Sequence, residues 1–280
     1  MSEGRATTRA WGLWPGAWGT PPLAVIVACG LILLAIAAPL LTPYAPDAID
    51  LAGRRAAPSM AHWFGTDDLG RDLLSRVLYG ARVSLAIGIL AAALTVALGA
   101  GIGMVAGFAG RWIDALLMRI ADAVLAVPRL PLLMIASVIV RPSVPLLIVL
   151  VAAVSWMETA RVVRAEVKSL VTRGFVEAAH AMGAQPVAAL WRHIMPNVVP
   201  TLIVATTLAV GRSILLESAL SFFGVGVQPP TASWGNMLYQ AQATMATEPW
   251  LALFPGAAIL ISVLTVNALG ERLNDARARA

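Results

Sequence analysis

Four long intervals of this chain carry no charged residue: 10–46, 83–110, 193–211 and 249–270. A helix needs about 20 mainly apolar residues to cross the hydrocarbon layer of a bilayer. Inside that layer every backbone polar group must be satisfied within the segment itself. Each interval therefore predicts one crossing. With two weaker apolar runs between them, the sequence predicts six spans, at 23–41, 84–107, 117–140, 144–161, 198–216 and 251–269. Composition points the same way. Hydrophobic residues make up 59% of the chain, charged residues only 12%, and mean hydropathy is +0.80. Soluble domains carry about a quarter charged residues, so a water-soluble fold is excluded. The expected class is an all-α membrane protein with six transmembrane helices.

The net charge of +5 does not point to nucleic acid. The basic residues are scattered between apolar blocks, which reads as a bias toward one membrane face. With the N-terminus in the cytoplasm, 12 Lys and Arg fall on the inside, counting Arg119 and Arg161 at the cytoplasmic ends of their spans, and 6 on the outside. The positive-inside rule therefore predicts cytoplasmic tails at 1–22 and 271–280. Arg5, Arg9 and the run Ala35-Ile36-Ala37 resemble a secretory signal. The apolar run exceeds a usual signal core and five spans follow, so span 23–41 is expected to stay as an anchor. The outer segment 42–82 concentrates arginines beside Asp67, Asp68 and Asp72. Leu69, Leu73 and Val77 recur there at helical spacing, which predicts an amphipathic helix on the outer interface. A last charge-free run, Ser218–Thr247, is rich in Gly, Pro and polar residues and is expected to be a loop dipping back into the protein.

Within the spans, Gly99, Gly103 and Gly107 sit four apart and share one face, a helix-packing signal. Arg129 lies between Pro128 and Pro131 at membrane depth. It is a candidate for a translocation path; the alternatives are pairing with Asp122 or a break near the cytoplasmic end. Asp122 has Arg119 as a second candidate partner, three residues back. Arg212 and Glu217 read as structural rather than proton-carrying groups.

Catalytic and cofactor motifs are missing. Cys29 is the only cysteine, which excludes a disulfide scaffold or a cysteine-built zinc site. His62, His180 and His193 lack metal-ligand spacing, and no G-x-S-x-G elbow occurs. The one lysine, Lys168, precedes Ser169, but a phosphate loop needs glycine at 162 and 167, and both are valine. No enzyme activity, metal or bound cofactor is expected. If ATP drives this protein, the ATPase is another chain.

The connection 162–197 is long and should be structured. Phe175, Ala178, Ala179 and Met182 form an apolar stripe, Gly183 suits a helix C′ position, and Pro186 suits the first turn of a second short helix. Val187, Leu190, Trp191 and Ile194 give that helix its own apolar face, up to Pro196 at the next span. Lipid headgroups, the chain's own spans or a partner's groove are the three candidate covers for these faces.

Glu177-Ala178-Ala179, then Gly183, then Ile194-Met195-Pro196 resemble the EAA loop of bacterial ABC importer permeases, with Met195 where the pattern usually has leucine. Phe64–Gly88 and Leu215–Leu238 resemble the dipeptide/oligopeptide/nickel branch, and within it the C-type subunit. The resemblance spans about His62 to Asp275. It implies a type I ABC importer permease fold, with a core at 83–270 and cytoplasmic coupling helices in 162–197. It further implies a peptide importer of the bacterial cytoplasmic membrane that works by alternating access. The implied partners are a second homologous permease in a heterodimer, two ATP-binding subunits that hold ATP and Mg, and an extracytoplasmic solute-binding protein. Arg173, Phe175, Glu177, Ala178, Ala179, Met182, Gly183, Ile194 and Pro196 are implied to couple the permease to the ATPase. Nickel and haem importers of the same family are alternative readings. A secondary transporter is a rival that would want paired broken spans, and only the Pro128–Pro131 region shows a break. An intramembrane hydrolase would need a nucleophile and base that the sequence does not pair.

Overall fold

A computed structural model describes residues 21–140, 143–183 and 185–279. Arg5, Arg9 and Arg141, counted above for orientation, lie outside them. Helices dominate, and the described residues hold no strand beyond an isolated bridge between Thr66 and Asp72. The helices are α1 (Pro21–Leu41), α2 (Leu73–Phe108), α3 (Arg111–Leu125), α4 (Arg129–Ile139), α5 (Val144–Ala153), α6 (Trp156–Val171), α7 (Gly174–Ala181), α8 (Pro186–Ala189), α9 (Met195–Phe222), α10 (Trp234–Ala241) and α11 (Trp250–Arg279).

Four helical stretches are long and apolar enough to cross a membrane: Leu23–Leu41, Leu73–Phe108, Pro186–Phe222 and Trp250–Asp275. Two bent pairs, α3 with α4 and α5 with α6, bring the total to six if each pair is one crossing. The first pair bends by 84° and the second by 45°. Pro128 explains the first break, because proline disfavours helix at the residue before it and donates no N–H. The second break, at Val154 and Ser155, has no proline and was not foreseen. The chain thus has two breaks between paired helices, where the sequence showed only one.

α2 is the axis of the bundle and packs most extensively on α6, then on α9. A Cβ built on Gly99 would stand 2.6 Å from Thr159 Cβ. The same atom on Gly103 would stand 2.6 Å from Ala160 O, and on Gly107 2.7 Å from Val167 Cβ. The numbering rises together along both helices, so α2 and α6 run parallel with backbones in close contact. α1 turns Ala24, Ala35 and Ala38 inward and leaves Ile26, Leu33 and Ile36 exposed. An apolar surface of that kind is stable in hydrocarbon.

The predicted interfacial helix is not separate. Leu69 precedes α2, while Leu73 and Val77 are its first turns, buried with Met237, Ala241 and Leu251. Asp72 caps α2 by accepting a hydrogen bond from Ser75 N at 2.8 Å. The nearby arginines are neutralised inside the protein: Arg71 Nε donates to Asp67 Oδ2 at 2.7 Å, and Arg76 Nε lies 3.4 Å from the same oxygen. Two of the five arginines in segment 42–82, Arg71 and Arg76, are thus buried beside a carboxylate, while Arg54, Arg55 and Arg82 remain exposed.

The expected 218–247 loop also holds a helix. Its first residues complete α9, and α10 follows with a Ser233–Asn236 capping box. Trp234 is buried; its Nε1 donates to Val77 O at 3.0 Å and its backbone N to Ser84 Oγ at 3.2 Å. Glu217 of α9 is fully buried beside them. Ser221 Oγ and Ser84 Oγ donate to its carboxylate at 2.8 and 3.2 Å, tying α9 to α2.

Asp122 pairs with neither Arg119 nor Arg129. Its partner is Arg161 of α6. Asp114, near the start of α3, accepts from Arg164 Nη2 at 2.7 Å and Lys168 Nζ at 2.5 Å. Both contacts bind α3 to α6 across a long stretch of sequence, so helix spacing alone gave no sign of them.

Candidate functional site

Two regions gather the predicted site residues. The first is at the α7 end of the bundle. α7 follows α6 after a two-residue turn at Thr172 and Arg173. Val176 is buried with Val163, Val167 and Leu170 of α6 and with Ile194 and Val198. Ala179, three residues on, is buried too. The predicted stripe therefore divides: Ala179 turns inward, while Phe175, Ala178 and Met182 remain exposed, Met182 at 82%. Glu177 and Arg173 are exposed beside them in sequence. Gly183 adopts φ +86°, and nothing lies within 4 Å of a Cβ built there. Glycine is needed at this helix end for the left-handed turn, not for room.

The second loop helix does not stop before the span. α8 passes into a π-helical turn, Leu190–Ile194, and then directly into α9. Pro196 was expected to open a separate span, yet the helix is continuous through it. A proline donates no N–H and crowds the carbonyl four residues back, and a widened turn relieves both constraints. Asn197 Nδ2 donates to His193 O at 2.6 Å within this stretch. Ala189 and Ile194 face the bundle, whereas Val187 and Trp191 are exposed at 63% and 57%. The segment thus has one face fixed to the spans and another that presents large apolar side chains.

The second region is a cavity of about 350 Å³ at the two span breaks. Arg129 is the first residue of α4, and Glu158 lies in the first turn of α6. Arg129 Nη2 donates to Glu158 Oε1 at 2.5 Å, and Arg212 of α9 pairs with the other carboxylate oxygen. All three line the cavity, together with Thr95 and Ser155. Sequence reading found Arg129 by its flanking prolines and took Arg212 for a structural group. It passed over Glu158, an acid within the predicted span 144–161, which was the available signal. Their meeting depends on helices far apart in sequence.

Residues 99–279 match the family described as binding-protein-dependent transport system inner membrane component. The chain belongs to this family of ABC importer permeases. The matched part of the permease contains α7, α8 and the Arg129–Glu158–Arg212 cluster. Similar proteins include a peptide permease protein of Brucella suis biovar 1, 42% identical over 248 residues, covering 88% of this chain and 82% of that protein. A dipeptide transport system permease protein of Alkalihalophilus pseudofirmus is 40% identical over 252 residues, covering 90% and 83%. A glutathione transport system permease protein of Escherichia coli is 41% identical over 247 residues, covering 88% and 82%. The permease is a multi-pass membrane component of a transporter, not a secondary carrier, and its family gives it no enzymatic role of its own.

Proposed function

We propose that this permease moves dipeptides and oligopeptides inward across the bacterial cytoplasmic membrane, using ATP hydrolysed on separate subunits. Relatives named as peptide, dipeptide and glutathione permeases support the cargo class. The observation that carries the coupling role is the two-faced α7–α8 segment. Val176, Ala179 and Ile194 anchor it in the bundle, while Phe175, Met182, Val187 and Trp191 are exposed with the Glu177 carboxylate. Exposed apolar anchors with a charge among them suit a helix seated in a partner's groove. In this reading an ATP-binding subunit grips the segment on the cytoplasmic face. ATP and Mg stay on that subunit and its twin.

Both tails are cytoplasmic in this arrangement. A second, homologous permease completes the membrane channel, and an extracytoplasmic binding protein delivers cargo to the opposite face. ATP-driven closure of the motor pair shifts α7 and α8, and the spans change from inward-open to outward-open. The ATPase contacts differ between the two states, and that difference is what links hydrolysis to transport.

The test is purification from membranes through a tag on this chain. ATP-binding chains should co-purify with the native protein. The double variant Phe175→Glu, Trp191→Glu should release them while the tagged chain still inserts. Retention of the ATPase by that variant would overturn the grip, and failure of native cells to depend on this chain for dipeptide uptake would overturn the cargo.

A further inference from the structure

The cavity at the span breaks has an unbalanced charge. Two guanidinium groups, on Arg129 and Arg212, share the single carboxylate of Glu158. Unpaired charge at membrane depth is costly and marks solute paths. The surrounding geometry reinforces the positive character. α4 begins at Arg129, and α6 begins just after Ser155, so two helix N-termini adjoin the cavity and place their partial positive ends there. Helix N-termini at broken spans are suited to anionic groups of a solute.

A second observation is independent of charge. Thr95 and Ser155 line the cavity, and their hydroxyl oxygens are buried with no hydrogen-bond partner among the described residues. Thr95 as a whole is 2% exposed. Buried hydroxyls without partners are uncommon and need an explanation. A polar solute in the cavity supplies one.

We infer that the cavity holds the C-terminal carboxylate of a peptide in transit, bound by Arg212 and Arg129 in exchange with Glu158. Glu158 serves as the resident counter-ion when the cavity is empty of cargo, so the guanidiniums are never left without a carboxylate. Arg212 is the more accessible arm, with 55% of its side chain exposed against 25% for Arg129. Thr95 and Ser155 offer hydroxyls to the amide groups that follow. This assignment rests on the proposed peptide cargo and names the part of that cargo the permease itself recognises.

The experiment uses the complete transporter in proteoliposomes, with its binding protein saturated by either of two probes, dialanine or dialanine amide. Uptake per ATP hydrolysed is measured for each. The same binding protein serves every variant, so its own preference cancels. In Arg212→Gln the dialanine value should fall about tenfold, the loss expected for one charge-assisted hydrogen bond. The amide value should stay within about twofold. Arg129→Gln should show the same selective loss, and Arg212→Lys should recover part of it. Should a single variant fail to assemble, the charge-balanced pair Glu158→Gln, Arg212→Gln provides the same comparison. Equal changes for both probes, or none, would overturn the carboxylate site while leaving peptide transport intact. Absence of dialanine uptake by the native transporter would instead remove the peptide reading, and this site with it.

Discussion

A Cβ placed on Gly103 of α2 would stand 2.6 Å from the carbonyl oxygen of Ala160 on α6. Gly101, two residues earlier, meets nothing within 4 Å. The same helix therefore offers a matched pair of sites. Gly103→Val should destabilise the protein by about 1–3 kcal/mol, because α2 and α6 must separate to admit the side chain. Gly101→Ala should be neutral or stabilising by up to about 1 kcal/mol through helix propensity. Thermal unfolding in detergent distinguishes them; equal midpoints would show that the contact is not tight.

Glu217 joins α9 to α2 through Ser84, whose hydroxyl also accepts from the backbone of Trp234 at the start of α10. Glu217→Ala should cost about 3 kcal/mol by leaving buried hydroxyls without an acceptor. Glu217→Gln keeps an acceptor and should cost less. Unfolding midpoints in the order native, Gln, Ala are expected, and an unchanged Ala variant would count against the network.

Asp67 accepts from Arg71 Nε and from the backbone N–H groups of Leu69 and Arg71, each at 2.7–2.9 Å. Asp67→Ala leaves Arg71 and Arg76 buried without that carboxylate. A loss of about 3–5 kcal/mol is expected, as for other broken buried pairs. Trypsin should then cut after Arg71 or Arg76 in the folded protein's membrane vesicles, where the native chain resists.

Gly183→Val places a β-branched residue at φ +86°, a strain of about 1–2 kcal/mol confined to an exposed turn. Unfolding should move little. Uptake in the assembled transporter should fall about tenfold while ATP hydrolysis continues. Normal uptake by this variant would show that the turn has no part in coupling.

The crossings at 23–41, 84–107, 198–216 and 251–269 were legible because hydrophobic length is a local property. So was Gly183, since a helix end needs a particular backbone turn. The start of α2 was not: Leu73 and Val77 have the same spacing whether they face lipid headgroups or Met237, and only the fold decides. The bend at Val154 and Ser155 has no proline to announce it. The Glu158 contacts were hidden for a different reason, since an ion pair between α4, α6 and α9 leaves no periodic trace in any of them.

The π-helical turn at Leu190–Ile194 makes one helical rod of residues Pro186–Phe222, 37 residues long. At 1.5 Å per residue that is roughly 55 Å of continuous helix. Arg212 and Glu217 ride on the same rod as Trp191. A push delivered at the Trp191 end has no slack linker in which to be lost, so it must reappear as a tilt or slide beside the cavity and beneath α10.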